Sequence, residues 1–118
     1  NQKNINVKKS RALILGVTFK ENCPDIRGTK VIGIYNELKN MGIEVDVSDS
    51  WANPDEVKDE FKIKLIDFNH DKYKYDIIVI AVGHKNYKKI NLKKLTNENN
   101  IIFDLKGILD KKESDARL

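Results

Sequence analysis

The chain has one cysteine, one methionine, one tryptophan and two prolines in 118 residues. With Cys23 alone, no disulfide can form within it, so its stability has to come from a packed core, and a reducing, cytoplasmic setting is expected. Long apolar runs are missing too. The longest, Ile77 to Val82, falls far short of the ~20 residues of a membrane-spanning helix, and the polar opening Asn1-Gln2-Lys3-Asn4 lacks the hydrophobic region of a signal peptide. Neither a membrane nor secretion is expected. Two histidines and one cysteine, with no ligand spacing between them, predict no metal site. The net charge of +4 is not gathered into a basic block: lysines alternate with acids, as in Asp55-Glu56-Val57-Lys58-Asp59-Glu60. A lysine-rich surface is therefore expected, and nucleic acid is not an expected partner.

What the chain does contain is the make-up of one globular domain, with 40% apolar and 34% charged residues and no internal repeats. Apolar runs alternate with helix-period stretches, the pattern of successive β-α units on a parallel sheet. Ala12 to Leu15 reads as a first strand closed by Gly16. Val31, Ile34, Tyr35, Leu38 and Met41 recur at helical spacing, which predicts a helix from about Ile26 to Met41, stopped by Gly42. Ile43 to Val47 alternates apolar and polar residues and belongs nearer a sheet edge. Pro54 opens a helix to about Phe61, and Ile63 to Ile66 reads as a small extra strand. Asp76 to Val82, with unbroken β-branched content, is the central strand, buried on both faces. A helical stretch over Asn91 to Asn97 leads to a last strand, Ile101 to Leu105. The expected fold is a three-layer α/β/α, Rossmann-like domain on a mostly parallel sheet of about five strands.

If the strands are parallel, the loops after Gly16, Val47, Val82 and Leu105 open on one edge, where such sheets bind anionic ligands. That brings Lys20 and Lys106 to the same side, and two ammonium groups there suit a diphosphate. A nicotinamide dinucleotide fits worse. Gly16 is followed by Val17 and Thr18, so the Gly-x-Gly-x-x-Gly fingerprint is absent. Asp49 lies farther along than the acid that usually binds the ribose, and reads better as a turn residue.

The segment Gly16-Val17-Thr18-Phe19-Lys20-Glu21-Asn22-Cys23-Pro24-Asp25-Ile26-Arg27 resembles the opening motif of the C-terminal, UDP-binding domain of the UDP-glucose/GDP-mannose dehydrogenases. The resemblance continues through Thr29-Lys30-Val31, Gly42-Ile43-Glu44-Val45, Ala81-Val82-Gly83-His84-Lys85 and Phe103-Asp104-Leu105-Lys106-Gly107. Within the family the chain is most similar to the UDP-N-acetylhexosamine branch, which feeds bacterial capsule, O-antigen and related polysaccharides. The resemblance implies that residues 10–118 form the UDP-sugar-binding domain and that residues 1–9 are a remnant of the interdomain connection. It also implies an enzyme that oxidises C6 of UDP-glucose or a UDP-N-acetylhexosamine twice, from alcohol to carboxylate, with two NAD molecules. The family's dinucleotide fingerprint and nucleophilic cysteine belong to its other parts, so this chain alone is expected to bind and not to catalyse. The partners implied are a UDP-sugar, the remaining domains, and further copies in a homo-oligomer.

Carried over by position, Phe19 (through its backbone) and Lys20 (through its ammonium group) are the expected UDP-sugar contacts, and Lys106 occupies the place of a basic residue facing the nucleotide. Arg27 resembles the arginine that faces NAD across the interdomain cleft. Asp25 could instead pair with it locally, or cap the helix near Ile26. Cys23 sits in the wrong motif for the nucleophile, beside Pro24 and with no histidine or glycine-rich segment next to it, so no catalytic residue is assigned. His84 ends the central strand at the ligand edge, where it could touch ligand but reads better as tying down its loop; His70 belongs to a solvated connection. Trp51 could stack on uracil, but packing against the following helix is its ordinary role. The tail Asp115-Ala116-Arg117-Leu118 resembles the family's and has an open function. The alternative is a stand-alone nucleotide-binding or interaction module on the same scaffold. An upstream dinucleotide fingerprint and glycine-flanked cysteine in the parent reading frame would separate the two.

Overall fold

The computed structural model describes residues 10–67, 74–108 and 116–117. The expected connection at residues 1–9, His70, and the tail residues Asp115 and Leu118 lie outside them. Strands β1 (Arg11–Leu15), β2 (Glu44–Ser48), β3 (Tyr75–Ile80), β4 (Thr96–Asp104) and the two-residue β5 (Ala116–Arg117) form one sheet in the order β2-β1-β3-β4-β5. Every pairing is parallel. The expected Rossmann-like α/β architecture is therefore present, with β2 at an edge and β3 in the centre.

Period-two alternation explains the unbroken apolar runs of β1 and β3. Ala12 and Ile14 pair in register with Ile77 and Val79 and enter one core with Val31 and Val57 of the helices; Leu13 and Leu15 pair with Ile78 and Ile80 and enter a second core on the other face. The first core is roofed by α1 (Val31–Asn40) and α2 (Pro54–Phe61). The second is roofed by the 3-10 turn Lys85–Lys89 and the single turn α3 (Leu92–Leu95), through Tyr87, Leu92 and Leu95. The three layers are thus unequal, thick on one face and thin on the other.

Several elements differ from the sequence reading by more than one residue. Helix α1 starts at Val31 and not near Ile26: the Arg27 amide is diverted to the Asp25 side chain (2.9 Å), and Gly28 at φ +79° turns the chain out of helical geometry. Its end is as expected, since the Gly42 and Ile43 amides close onto the Lys39 and Leu38 carbonyls. Ile63 to Ile66 is no strand; it runs beside β2 with one bond, from the Ile66 amide to the Val47 carbonyl (2.9 Å). Strand β3 stops at Ile80, leaving Ala81 and Val82 to the loop. The helix expected over Asn91 to Asn97 is only α3, because the asparagine-rich run after it extends β4 back to Thr96. Helix α2 follows expectation, with Pro54 in its first turn and the Asn53 side chain accepting the Asp55 and Glu56 amides.

Candidate functional site

Parallel strands put the segments that follow β1, β2, β3 and β4 on one edge, as the sequence predicted. Gly16 makes that edge tight. It sits at φ +102°, and a Cβ there would lie 2.6 Å from the Val82 Cβ, so only glycine lets the end of β1 pass the end of β3 this closely. The Gly16 amide bonds the Ser48 carbonyl (2.9 Å), joining the end of β2 to the same place.

Two buried polar side chains organise the loops above it. Asp49 accepts five hydrogen bonds: Oδ2 takes the Val17 amide (2.7 Å), the Thr18 amide (3.2 Å) and His84 Nε2 (3.0 Å), while Oδ1 takes the Trp51 (2.8 Å) and Ala52 (3.1 Å) amides. Burial pushes its carboxyl up, but the bonds from His84 and from the Val17 and Trp51 amides outweigh burial and hold it below the usual carboxylate range. Asp49 is therefore a turn residue and also the bolt between the β1 and β2 loops. Both its oxygens are occupied.

His84 is 0% exposed. Its Nδ1 accepts the Asn22 amide (2.8 Å), and its Nε2 also lies 3.1 Å from Thr18 Oγ1. Trp51 stacks on the imidazole with ring centroids 5.7 Å apart, its amide held by the Asp49 side chain. Tyr87 meets the ring edge-on at 5.4 Å and donates its hydroxyl to the Ser48 carbonyl (3.3 Å); burial, aided by the Asp49 charge, raises its pKa. His84 thus ties down the loop after β1 as well as its own.

On this base the expected ligand residues stand outward. Phe19 is 57% exposed; its amide bonds the Asp25 carbonyl (2.7 Å), and its ring lies against Gly28. Lys20 and Lys106 are exposed, and the Lys106 stem crosses Gly83, the residue before His84. Arg27 is exposed too. It is held by Asp25 through two side-chain bonds (both 3.0 Å), which keep the Asp25 carboxyl below its ordinary range, and it borders a cleft of about 390 Å³ facing α2. Glu56, Asp59 and Glu60 also line that cleft, whereas Lys20 and Lys106 do not. Among the described residues no cluster of His, Cys, Asp and Glu could hold a metal, and no helix is long and apolar enough to cross a membrane.

Residues 13–111 match the UDP binding domain of the UDP-glucose/GDP-mannose dehydrogenase family. The chain belongs to that family. It is 39% identical over 120 residues to the UDP-N-acetyl-D-glucosamine 6-dehydrogenase of Salmonella typhi, covering 99% of this chain and 28% of the relative. It is 40% identical to the enzyme of that name from Pseudomonas aeruginosa, with the same coverage, and 42% identical to the protein CapL of Staphylococcus aureus, over 92% of this chain and 26% of that protein. Its fold is shared with a UDP-D-ManNAc dehydrogenase from Pyrococcus horikoshii, with a TM-score of 0.73 at 22% identity over 96% of this chain and 26% of the other. The chain spans about a quarter of the length of these relatives.

In this UDP-binding domain, sequence reasoning gave Asp49 only a turn role and favoured His84 as a tie for its own loop, without finding that the two meet. The available signal was that a carboxylate and a histidine each follow a strand that ends on the ligand edge. Residues so placed are in reach of one another once the strands are parallel.

Proposed function

We propose that this chain is the UDP-sugar-binding part of an NAD-dependent UDP-sugar 6-dehydrogenase. In this reading it grips the nucleotide while the rest of the enzyme oxidises C6 of a UDP-N-acetylhexosamine or UDP-glucose to the carboxylate for surface polysaccharide. Phe19, Lys20 and Lys106 hold the UDP-sugar. The observation that carries the reading is the outward Lys20, which has no side-chain partner among the described residues although the backbone around it is tied down on both sides. An ammonium group held ready in this way suits a diphosphate by charge-assisted bonds. NAD belongs to the remaining domains, with Arg27 as this chain's contribution toward it, and no catalytic residue is placed here. The intact enzyme works as a cytoplasmic homo-oligomer.

Titration of the chain with UDP followed by amide NMR tests this. Weak, salt-sensitive binding is expected, with shifts at Phe19, Lys20 and Lys106. Lys20→Ala should weaken binding by roughly 1.5–3 kcal/mol. No shift at millimolar UDP, or shifts confined to the opposite end of the sheet, would count against the site. In the full-length enzyme, Arg27→Ala should raise the KM for NAD more than that for UDP-sugar.

A further inference from the structure

We propose that His84 is the positioning residue of the Lys20 loop: its Nδ1 lone pair, by accepting the Asn22 amide, fixes the left-handed turn that presents Lys20 to the diphosphate. The proposal rests on the UDP-sugar reading above and adds to it a residue that touches no ligand.

Three independent partners determine where the imidazole proton sits. The Asn22 amide can only donate, so Nδ1 must be the acceptor. Asp49, held ionised, can only accept, so Nε2 carries the proton. The Thr18 hydroxyl has its own proton directed at the Lys20 carbonyl (3.0 Å), so toward Nε2 its oxygen too is an acceptor. All three agree on one tautomer. Through it a single ring meets Thr18 on one side of Lys20 and Asn22 on the other. Asn22 sits at φ +54°, an uncommon conformation for a residue with a side chain, and is held there from two directions. Its amide goes to His84, and its side-chain oxygen takes the Lys85 amide (2.9 Å). Lys85 is the next residue after His84, so one short stretch at the end of β3 clamps the turn. The ring itself cannot swing, being stacked on Trp51 and met edge-on by Tyr87. A side chain that merely filled the space would leave the Asn22 amide without this acceptor, and the turn would have one fewer reason to stay left-handed.

Two variants of the chain separate positioning from filling. In His84→Asn the side-chain oxygen takes the place of Nδ1 and keeps an acceptor for Asn22. In His84→Gln the terminal amide reaches Asp49 and Thr18 in place of Nε2 and leaves Asn22 without its partner. Both lose the ring and its two aromatic contacts, so both lose stability. Only the glutamine variant should lose UDP affinity markedly, roughly tenfold by the loss of one part-buried bond, with the asparagine variant staying within about threefold of the parent. The Asn22 amide should keep its hydrogen-exchange protection in the asparagine variant and lose it in the glutamine variant. Nitrogen-15 spectra of the unmodified chain should show Nδ1 as the unprotonated ring nitrogen, a readout that requires no variant to fold. Equal UDP affinities in the two variants, or a proton on Nδ1, would overturn the proposal. Absence of UDP binding by the parent, with the Nδ1 signal and the Asn22 protection as expected, would overturn the UDP-sugar reading and leave His84 as the residue that sets this turn.

Discussion

The two ends of the sheet use the same kinds of side chain for different work. Toward the amino end, Asp46 takes the Tyr75 hydroxyl (2.7 Å) and Arg11 Nη1 (3.4 Å), and Asp76 takes the Arg11 amide (3.0 Å) and Asn97 Nδ2 (2.8 Å). Arg11 and Asp46 are partly exposed, and apart from the Tyr75 bond, which runs from β3 to β2 across β1, these contacts join strands that the ladder already pairs. At the carboxyl end, Asp49 and His84 are buried, and most of what they bind is loop backbone. Loop amides have no ladder to satisfy them, so a buried acceptor there determines where the loop lies. The same chemistry is reinforcement at one end and placement at the other.

Removing Asp49 should break the comparison hardest. Asp49→Ala leaves four amides and His84 Nε2 without their acceptor in a buried site, and should cost roughly 3–5 kcal/mol in urea unfolding along with UDP binding. A pH series sharpens the point. Asp49 is held below its unfolded pKa of about 3.9, so its contribution is complete above that value and fades as pH falls from there through the folded pKa, where the native carboxylate takes up a proton. Asp49→Asn should flatten the acid limb of the stability curve. An unchanged acid limb would show that the carboxylate is not what secures this end.

Gly16→Ala should come next, at roughly 2–4 kcal/mol, combining left-handed strain with a Cβ placed against both the Val82 side chain and its amide. Gly33→Ala is the control, because Gly33 lies in α1 with nothing within 4 Å of the added methyl, and there the change should be neutral or stabilising. Thermal unfolding of the pair measures the close approach of β1 and β3 apart from any general effect of glycine replacement.

These residues also show what could be read from the sequence. The parallel order was legible because unbroken apolar runs such as Ile77 to Val82 have to be buried on both faces, and the Gly16 to Arg27 segment carried the family motif. That Lys20 and Lys106 follow strands ending on the same edge came from strand direction. The start of α1 was not legible: Ile26 sits at helical spacing from later apolar residues, and the local side-chain bond from Asp25 to the Arg27 amide prevails over that pattern. The Asp49 and His84 network was not legible either, because it spans 35 residues of sequence and depends on two loop ends meeting in space. Periodicity reports which face a residue takes and says nothing about which loop end it will touch.

Tyr75→Phe probes the amino end. It removes the hydroxyl bond from a buried ring to Asp46, whose partly exposed carboxylate can take water instead, and should cost about 1 kcal/mol. UDP affinity should not change. A loss of affinity comparable to that of Lys20→Ala would mean that the two ends are mechanically coupled and that the contrast drawn between them is false.

Cys23→Ser should have the smallest effect and bears on what kind of work the carboxyl end does. The thiol is half-buried in the clamped loop, between the left-handed Asn22 and Pro24, and the imidazole of His84 is already engaged with Asn22, Asp49 and Thr18. Among the described residues no histidine is left to activate it as a nucleophile. Serine matches the thiol closely in shape, so stability should change by less than about 0.5 kcal/mol and UDP affinity not measurably. Turnover of the full-length enzyme should stay near that of the parent. If turnover vanished while the variant stayed folded and still bound UDP-sugar, the loop would hold the reacting group itself, and Asp49 and His84 would be positioning a nucleophile as well as a binding lysine.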